Sequence, residues 1–382
     1  MLKPKYTTLN RLVLRADNLI ANFDYLKSLQ PTAEIFPVLK SNAYGHGLKE
    51  VCQILNHTTA TMVVVDSYPE AQIAYRYFRG KVLILGEMPL KAYRYCHRSK
   101  TEFVVYNEAT LKYLSRYGKQ AKVHLFINSG MNREGIKDLP AFIADNRKYL
   151  NRVEVSGLCS HLASADEESI LNNDQEKQFG DALDVLRSEG FFPRWIHLGN
   201  SAAVFNLHNP LLTAYRPGLA FYGYSPFISE QGRKEEGEKE DEIEDALRPA
   251  LEIYSQLVSI QDLKFGEGVS YNETYRARQD TRIGVIPFGY FEALDRRLSN
   301  SAKFLVLSST GQFWAPIAGR VCMNLSCLDI NHHEAHLGDL VQIVSSNPED
   351  PNSVVNLSAL SGTIPYEFLV KIQANIRREV VK

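Results

Sequence analysis

The first 220 or so residues switch repeatedly between two hydrophobic periods, and few folds accommodate that rhythm. Short apolar, strand-like runs occur at 11–15, 34–39, 61–65, 81–85, 102–106, 122–128, 154–159 and 194–198, with a shorter one at 213–216. Stretches of helical period fill the gaps at 17–29, 68–78, 107–117, 138–146 and 167–189. Asp17 and Asn107 suit helix N-caps, because a short side-chain oxygen there can accept from the free N–H groups of the first turn. About eight β/α units in this length predict an α/β fold with an N-terminal (β/α)8 TIM barrel. A doubly wound parallel sheet is the alternative that the pattern alone leaves open.

The rhythm stops near residue 230. Residues 232–245 are mostly Glu, Lys and Asp, which reads as a solvated linker, with a charged docking segment as the alternative. Beyond it, short strand-like runs at 253–260, 282–286, 304–308, 312–318 and 340–343 are separated by turn residues. The predicted organisation is a barrel over 10–230, an acidic linker over 231–247 and a mostly-β domain over 248–382, with residues 1–9 as a candidate addition to that last domain.

Composition narrows the function. A formal net charge of −1 leaves no basic face for nucleic acid or an anionic membrane. No apolar run approaches the roughly 20 residues needed to span a bilayer, and residues 1–10 lack a signal-peptide core. Cys52, Cys96, Cys159, Cys322 and Cys327 are scattered, with no CxxC spacing. That argues for a cytoplasmic protein without disulfides or a structural metal.

The chemistry concentrates in Pro37-Val38-Leu39-Lys40-Ser41-Asn42-Ala43-Tyr44-Gly45-His46-Gly47. A lysine at the end of an apolar strand is placed for Schiff-base chemistry, because burial favours the neutral amine that attacks a carbonyl. Other conspicuous polar residues also follow predicted strands. Counting from 11–15, Lys40 follows the second strand, Arg133 the sixth, His161 the seventh and Asn200-Ser201 the eighth, while Arg216 closes the last short run. In a (β/α)8 barrel these ends share one face. The sequence Gly199-Asn200-Ser201 starts a helix after a strand, where free N–H groups and a hydroxyl suit an anion.

These strings together resemble the alanine racemase family over nearly the whole chain. The lysine segment resembles V-K-A-N-A-Y-G-H-G. His197-Leu198-Gly199-Asn200-Ser201-Ala202 resembles H-x-A-N-S-A, with Gly199 for the usual Ala. Arg216-Pro217-Gly218-Leu219 resembles R-P-G-I, Gly130-Met131-Asn132-Arg133 resembles G-M-x-R, and Ser160-His161 resembles T-H. In the later domain Val269-Ser270-Tyr271 resembles V-S/G-Y, and further matches fall at 286–290, 319–323 and 362–367.

The resemblance implies pyridoxal 5′-phosphate (PLP) as cofactor, alanine as substrate, and a homodimer with sites at the interface. It implies catalytic roles for Lys40 and, from the partner subunit, Tyr271. It implies cofactor contacts from Lys40, Tyr44, Leu85, His161, Asn200, Ser201, Arg216, Gly218, Leu219 and Tyr366, and substrate contacts from Arg133, Tyr290 and Met323. Asp166, Arg296 and Arg320 would be outer polar gates. An Arg facing the pyridine nitrogen can only donate, so the ring nitrogen stays unprotonated and the cofactor is a weak electron sink. That spares proton exchange at Cα and suppresses other outcomes. Two groups on opposite faces of Cα would perform it, Lys40 for the D-side proton and Tyr271 for the L-side proton.

Three positions depart from the family pattern. Phe126 stands where a lysine able to be carbamylated is common, so Arg133 needs another brace, with Asn128 or a bound anion as candidates. Asn324 replaces an Asp, and Tyr290-Phe291-Glu292-Ala293 replaces Y-A-D-G. Broad-specificity racemisation remains an open alternative. A basic-amino-acid decarboxylase, a PLP-binding protein and a non-catalytic partner module are less compatible with Arg216, Tyr271 and the C-terminal domain.

Overall fold

The computed structural model describes residues 7–167, 169–227, 242–243 and 245–382. Most of the expected acidic linker over 231–247 lies outside these residues. Among the described residues, 20–43 and 48–227 form one compact unit, and 7–19, 44–47 and 242–382 form another.

The first strand, β1 (Arg11–Arg15), corrects the sequence reading, which counted it as the first barrel strand. It pairs antiparallel with β10 (Leu251–Gln256), placing Leu12 opposite Ile253, and parallel with β19 (Arg377–Val381). Its burial alternates, with Leu12 and Leu14 inside and Arg11, Val13 and Arg15 toward solvent. That pattern suits a sheet with one solvated face, whereas parallel barrel strands are buried on both. Arg15 adds two hydrogen bonds to Glu252 Oε1, at 3.1 and 2.9 Å. Asp17, expected as an N-cap, lies inside the first turn of helix Ala16–Leu29, where its charge still favours the helix dipole.

Eight parallel strands close the larger unit. They are β2 (Glu34–Ile35), β3 (Met62–Val65), β4 (Lys81–Ile84), β5 (Thr101–Val105), β6 (Lys122–Phe126), β7 (Glu154–Cys159), β8 (Trp195–His197) and β9 (Ala214–Tyr215). β3 to β8 lie side by side in chain order, and β2 pairs with β9. A parallel bridge from Val38 to Val64 joins β2 to β3. The Thr213 N–H donates to Ile196 O and the Arg216 N–H to Gly199 O, each at 2.9 Å, joining β9 to β8. This is the (β/α)8 barrel.

Its strands read as apolar runs because neither face meets water, as in Val63, Val64 and Val65, all fully buried. Caps start the helices between them. Asn107 accepts from the Thr110 N–H as expected, Asp138 from Ala141 and Ser169 from Leu171. With β1 elsewhere, Lys40 follows the first barrel strand, Arg133 the fifth, His161 the sixth, Asn200-Ser201 the seventh and Arg216 the eighth.

The second unit is mostly β. Its six-stranded sheet takes β16 (Gly311–Pro316), β15 (Lys303–Ser308), β18 (Leu340–Val344), β10, β1 and β19 in that order. A second sheet takes β11 (Ser259–Leu263), β14 (Thr281–Ile286) and β17 (Ser326–Asp329), all antiparallel. β12 (Gly268–Val269) and β13 (Tyr275–Arg276) form a small ribbon. Helices Val354–Leu360 and Pro365–Val370 complete it.

Candidate active site

Lys40 opens a left-handed turn. Ser41, Asn42, Ala43 and Tyr44 have φ of 54°, 55°, 55° and 50°, and Gly45 follows at 77°. Each non-glycine residue in this conformation costs roughly 1–2 kcal/mol, so the surroundings must hold it. The Ser41 N–H donates to Glu70 Oε1 at 2.6 Å, Asn42 Oδ1 accepts from the Leu48 N–H at 2.9 Å, and the Ala43 N–H donates to Leu39 O at 2.8 Å. Gly45 is obligatory on two grounds. Its φ is positive, and a Cβ there would stand 2.1 Å from Leu369 O. The turn fixes the backbone from which the half-buried Lys40 projects.

The charges of Arg216, Arg133 and Lys40 all act on His161. Burial, then the charges of Arg216, Arg133 and Lys40 in that order, push the His161 imidazole down to about 3, so it is neutral in the physiological range. Arg216 is buried, and among the described residues it forms no ion pair. Its Nη1 donates to His197 O at 2.8 Å and to His197 Nδ1, and its Nη2 donates to Ser160 O at 2.5 Å and Leu198 O at 3.4 Å. The guanidinium is thus held by its two terminal nitrogens, and Nε takes no partner among the described residues. Burial pushes its pKa below the ordinary arginine value, yet it remains a cation that can only donate.

Behind Arg216 runs a buried chain of polar side chains, of which the sequence reading quoted His197 within a motif, without a role, and did not single out Glu102 or His124. His197 Nε2 meets His124 Nδ1 at 2.7 Å, and His124 Nε2 meets Glu102 Oε2 at 2.9 Å. Ser156 donates to Glu102 Oε2 at 2.8 Å and Lys81 to Oε1 at 3.0 Å. Glu102 and His124 stand inside mostly apolar barrel strands and His197 ends one, and a polar side chain in such a strand is the signal that could have found them. Gly157 on β7 makes room for the His124 ring, since a Cβ there would lie 2.4 Å from its Cγ and Nδ1.

The end of β8 supplies the anion-binding features. Asn200 caps the short helix Ser201–Asn206 by accepting from the Ala203 N–H. The Ser201 hydroxyl accepts from the Gly218 N–H at 2.9 Å and the Ala220 N–H at 3.3 Å, leaving its own proton to donate. Leu219 is buried directly after Gly218, and Leu85 is half-buried at the end of β4. Gly199 is not a minor replacement for alanine, because a Cβ there would lie 2.5 Å from Cδ1 of the fully buried Tyr215.

Arg133 is not braced by Asn128. It makes a two-point ion pair with its neighbour Glu134, Nε to Oε2 at 2.5 Å and Nη2 to Oε1 at 2.7 Å. Asn128 instead ties the loop, accepting from the N–H groups of Gly130 and Asn132 and donating to Asn132 Oδ1. Phe126 is buried and packs edge-on against Tyr106 at 6.4 Å.

In the second unit, Tyr271 is 66% exposed and follows β12 in a tight turn, with Ser270, Asn272 and Glu273 at positive φ. Tyr290 and Met323 are exposed, and so is Tyr366, whose ring lies 6.0 Å from that of the buried Tyr44. Burial, with the nearby Tyr366, pushes the Tyr44 hydroxyl far up. Two departures from the family pattern meet here. Asn324 Nδ2 donates to Glu292 Oε1 at 2.9 Å, and Glu292 Oε2 accepts from the Gly289 N–H at 2.9 Å. An ionised aspartate at 324 could only accept, so the amide of Asn324 is what makes this bond to Glu292 possible.

Among the described residues no His, Cys, Asp and Glu cluster could hold a metal, and no helix is long and apolar enough to cross a membrane. A strand-end lysine, a neutral histidine ringed by cations and a buried donor-only arginine thus share one barrel mouth. Comparison with known proteins gives matches along the chain. The alanine racemase N-terminal domain matches residues 14–226 and the C-terminal domain residues 250–380. An alanine racemase of Lactobacillus acidophilus is 32% identical over 92% of both chains, and one of Borreliella burgdorferi is 30% identical over 94% of both. The crystal structure of alanine racemase from Bacillus anthracis with bound L-Ala-P superposes with a TM-score of 0.86 at 26% identity, covering 99% of this chain and 96% of that one. An alanine racemase structure from Clostridium difficile gives 0.85 at 26% identity, over 99% and 97%. With both domains matched in order and the fold shared end to end, this chain belongs to the alanine racemase family.

Proposed function

We propose that this chain interconverts L- and D-alanine with PLP held at Lys40, as a homodimer in which each site takes Tyr271 from the other subunit. The observation that carries the reading is Arg216, a buried cation with no acid partner among the described residues, held with Nε unengaged at the mouth that also holds Lys40 and His161. The donor set fits PLP. Lys40 can form the covalent link, Arg216 can donate to the ring nitrogen, and the Ser201 hydroxyl with the 218–220 backbone suits the phosphate. When bound, PLP withdraws electrons from the substrate Cα and so makes its proton exchangeable.

The protein's own groups then decide the outcome. Lys40 would exchange the proton on one face of the substrate Cα. The partner subunit's Tyr271 exchanges the proton on the other face. An unperturbed tyrosine loses its proton near pH 10, so its environment must favour the phenolate. The neutral His161, with Arg216 beside it, is suited to stabilise that anion. Arg133 would hold the substrate carboxylate once it releases Glu134. Because Arg216 only donates, electron withdrawal stays weak, and proton exchange is favoured over transamination. Supply of D-alanine for peptidoglycan in the cytoplasm is the role this reading carries.

The test is chiral chromatography of purified, PLP-loaded protein incubated separately with L-alanine, L-serine, L-lysine and L-arginine. D-alanine formed far faster than the other D-isomers is the expected result. Comparable turnover of several substrates would make this a broad-specificity racemase. Absence of any D-isomer would refute racemisation.

A further inference from the structure

We propose that Glu102 is a positioning residue for Arg216, fixing through His124 and His197 the imidazole tautomers that hold the guanidinium at the barrel mouth.

The argument is one of valence. Arg216 Nη1 can only donate, so His197 Nδ1 must accept. His197 is fully buried, and burial followed by the charge of Arg216 pushes its pKa well below the usual value. Its single proton therefore sits on Nε2. That proton points at His124 Nδ1, 2.7 Å away, so Nδ1 must accept in turn. The His124 proton is thereby forced onto Nε2, where it needs an acceptor. Glu102 Oε2 stands there at 2.9 Å. Burial alone would raise the Glu102 carboxyl, but hydrogen bonds from His124, Ser156 and Lys81 outweigh it and push the carboxyl down to about 2. Every proton thus points from the buried cation toward the buried anion, and only one assignment satisfies all four groups.

The fold preserves this arrangement at His124 and at Glu102. A register shift between Val123 and His124 in the β6–β7 pairing, together with the missing side chain of Gly157, accommodates the His124 ring. Glu102 is itself held from two sides, by Ser156 and by Lys81 at the start of β4. Remove the acceptor at 102 and the His124 N–H is left unpaired at zero exposure, which favours moving its proton to Nδ1. Two donors would then face each other across 2.7 Å, and His197 would lose the tautomer that receives Arg216. Glu102 also supplies the negative charge that Arg216 lacks in its own contacts, with Lys81 balancing it on the outer side.

The tautomer assignment stands independently of the proposed activity, and its effect on turnover rests on that activity. The experiment is 15N NMR of histidine-labelled, PLP-loaded protein, with kcat and KM for L-alanine measured on the same preparations of wild type, Glu102→Gln and Glu102→Leu. In the wild type both His124 and His197 should carry their proton on Nε2. Glu102→Gln keeps a carbonyl acceptor, so the tautomers should persist and kcat stay within about tenfold. Glu102→Leu should mix the tautomers and lower kcat by about 100-fold, with KM nearly constant, the upper range for loss of an orienting outer partner. Proton occupancy on Nδ1 of either wild-type ring, or wild-type tautomers and kcat in Glu102→Leu, would overturn the proposal. Should Glu102→Leu fail to fold, the wild-type and Glu102→Gln spectra still decide it. Wild-type protein with the expected tautomers but no D-alanine would refute the proposed function and leave the assignment standing.

Discussion

Replacing Gly157 with alanine should damage the barrel interior far more than one methyl group suggests. The new Cβ would stand 2.4 Å from Cγ and Nδ1 of His124 and 2.8 Å from Cδ2. Ordinary contact begins near 3.4 Å, so the ring must retreat by about 1 Å against close packing. It cannot do so and keep its bonds to His197 at 2.7 Å and Glu102 at 2.9 Å. Each buried bond broken with its partner left unsatisfied costs about 1–3 kcal/mol, and the carboxylate bond falls at the upper end. The expected loss is about 3–5 kcal/mol, which for a unit of this size lowers the melting temperature by roughly 10 °C. Trp195 fluorescence in a Trp314→Phe background reports on the barrel alone, since Trp195 lies in β8 and Trp314 in β16. In a His124→Ala background the same substitution should cost under about 1 kcal/mol, because the clash is gone. A Gly157→Ala protein melting within 2 °C or so of its parent, or an undiminished cost without the His124 ring, would refute the reasoning.

Acid should destabilise the barrel in two stages. His161, neutral in the fold with its pKa at about 3 against an ordinary 6.5, favours unfolding progressively as pH falls below 6.5. Glu102, at about 2 against 4.5, contributes about 3 kcal/mol that is present above pH 4.5 and lost as pH falls toward 2. Urea midpoints across that range check both, and Glu102→Gln should remove the lower stage only. Lys40→Ala should abolish the covalent cofactor link, read as loss of the near-ultraviolet to visible band after dialysis, while the fold persists by circular dichroism. Tyr271→Phe should keep the cofactor yet slow racemisation by roughly 100- to 10,000-fold, the usual worth of a positioned acid–base group; full activity would sink the two-base scheme. Gly199→Ala should lower barrel stability by about 1–3 kcal/mol through its clash with Tyr215, and Tyr215→Leu should make the added methyl tolerable.

Much of the fold was legible because its signals are local. Apolar runs such as Met62–Val65 advertise strands hidden on both faces, and Asn107 sits where a free N–H needs an acceptor. β1 was misassigned for a reason visible afterwards. Its arginines flank an alternating pattern that belongs to a half-exposed sheet, and a five-residue run carries too little information to choose its partners. The short ribbon of β12 and β13 and the terminal β19 were missed because two to five residues of mixed polarity do not differ from loop.

The sequence by itself determined the alternation of strand and helix, the lysine at a strand end, and the motif residues that follow the other strands. These are properties of neighbouring residues, set by backbone preference and by which side chains avoid water. Only the tertiary structure decided that β1 completes the sheet of β10 and β19, that Arg133 pairs with Glu134 rather than Asn128, and that Asn324 donates to Glu292. It alone joined Glu102, His124, His197 and Arg216, whose hydrogen bonds span separations of 19 to 73 residues. A buried donor needs an acceptor wherever in the chain that acceptor lies, and barrel closure is what brings the two within 3 Å of each other.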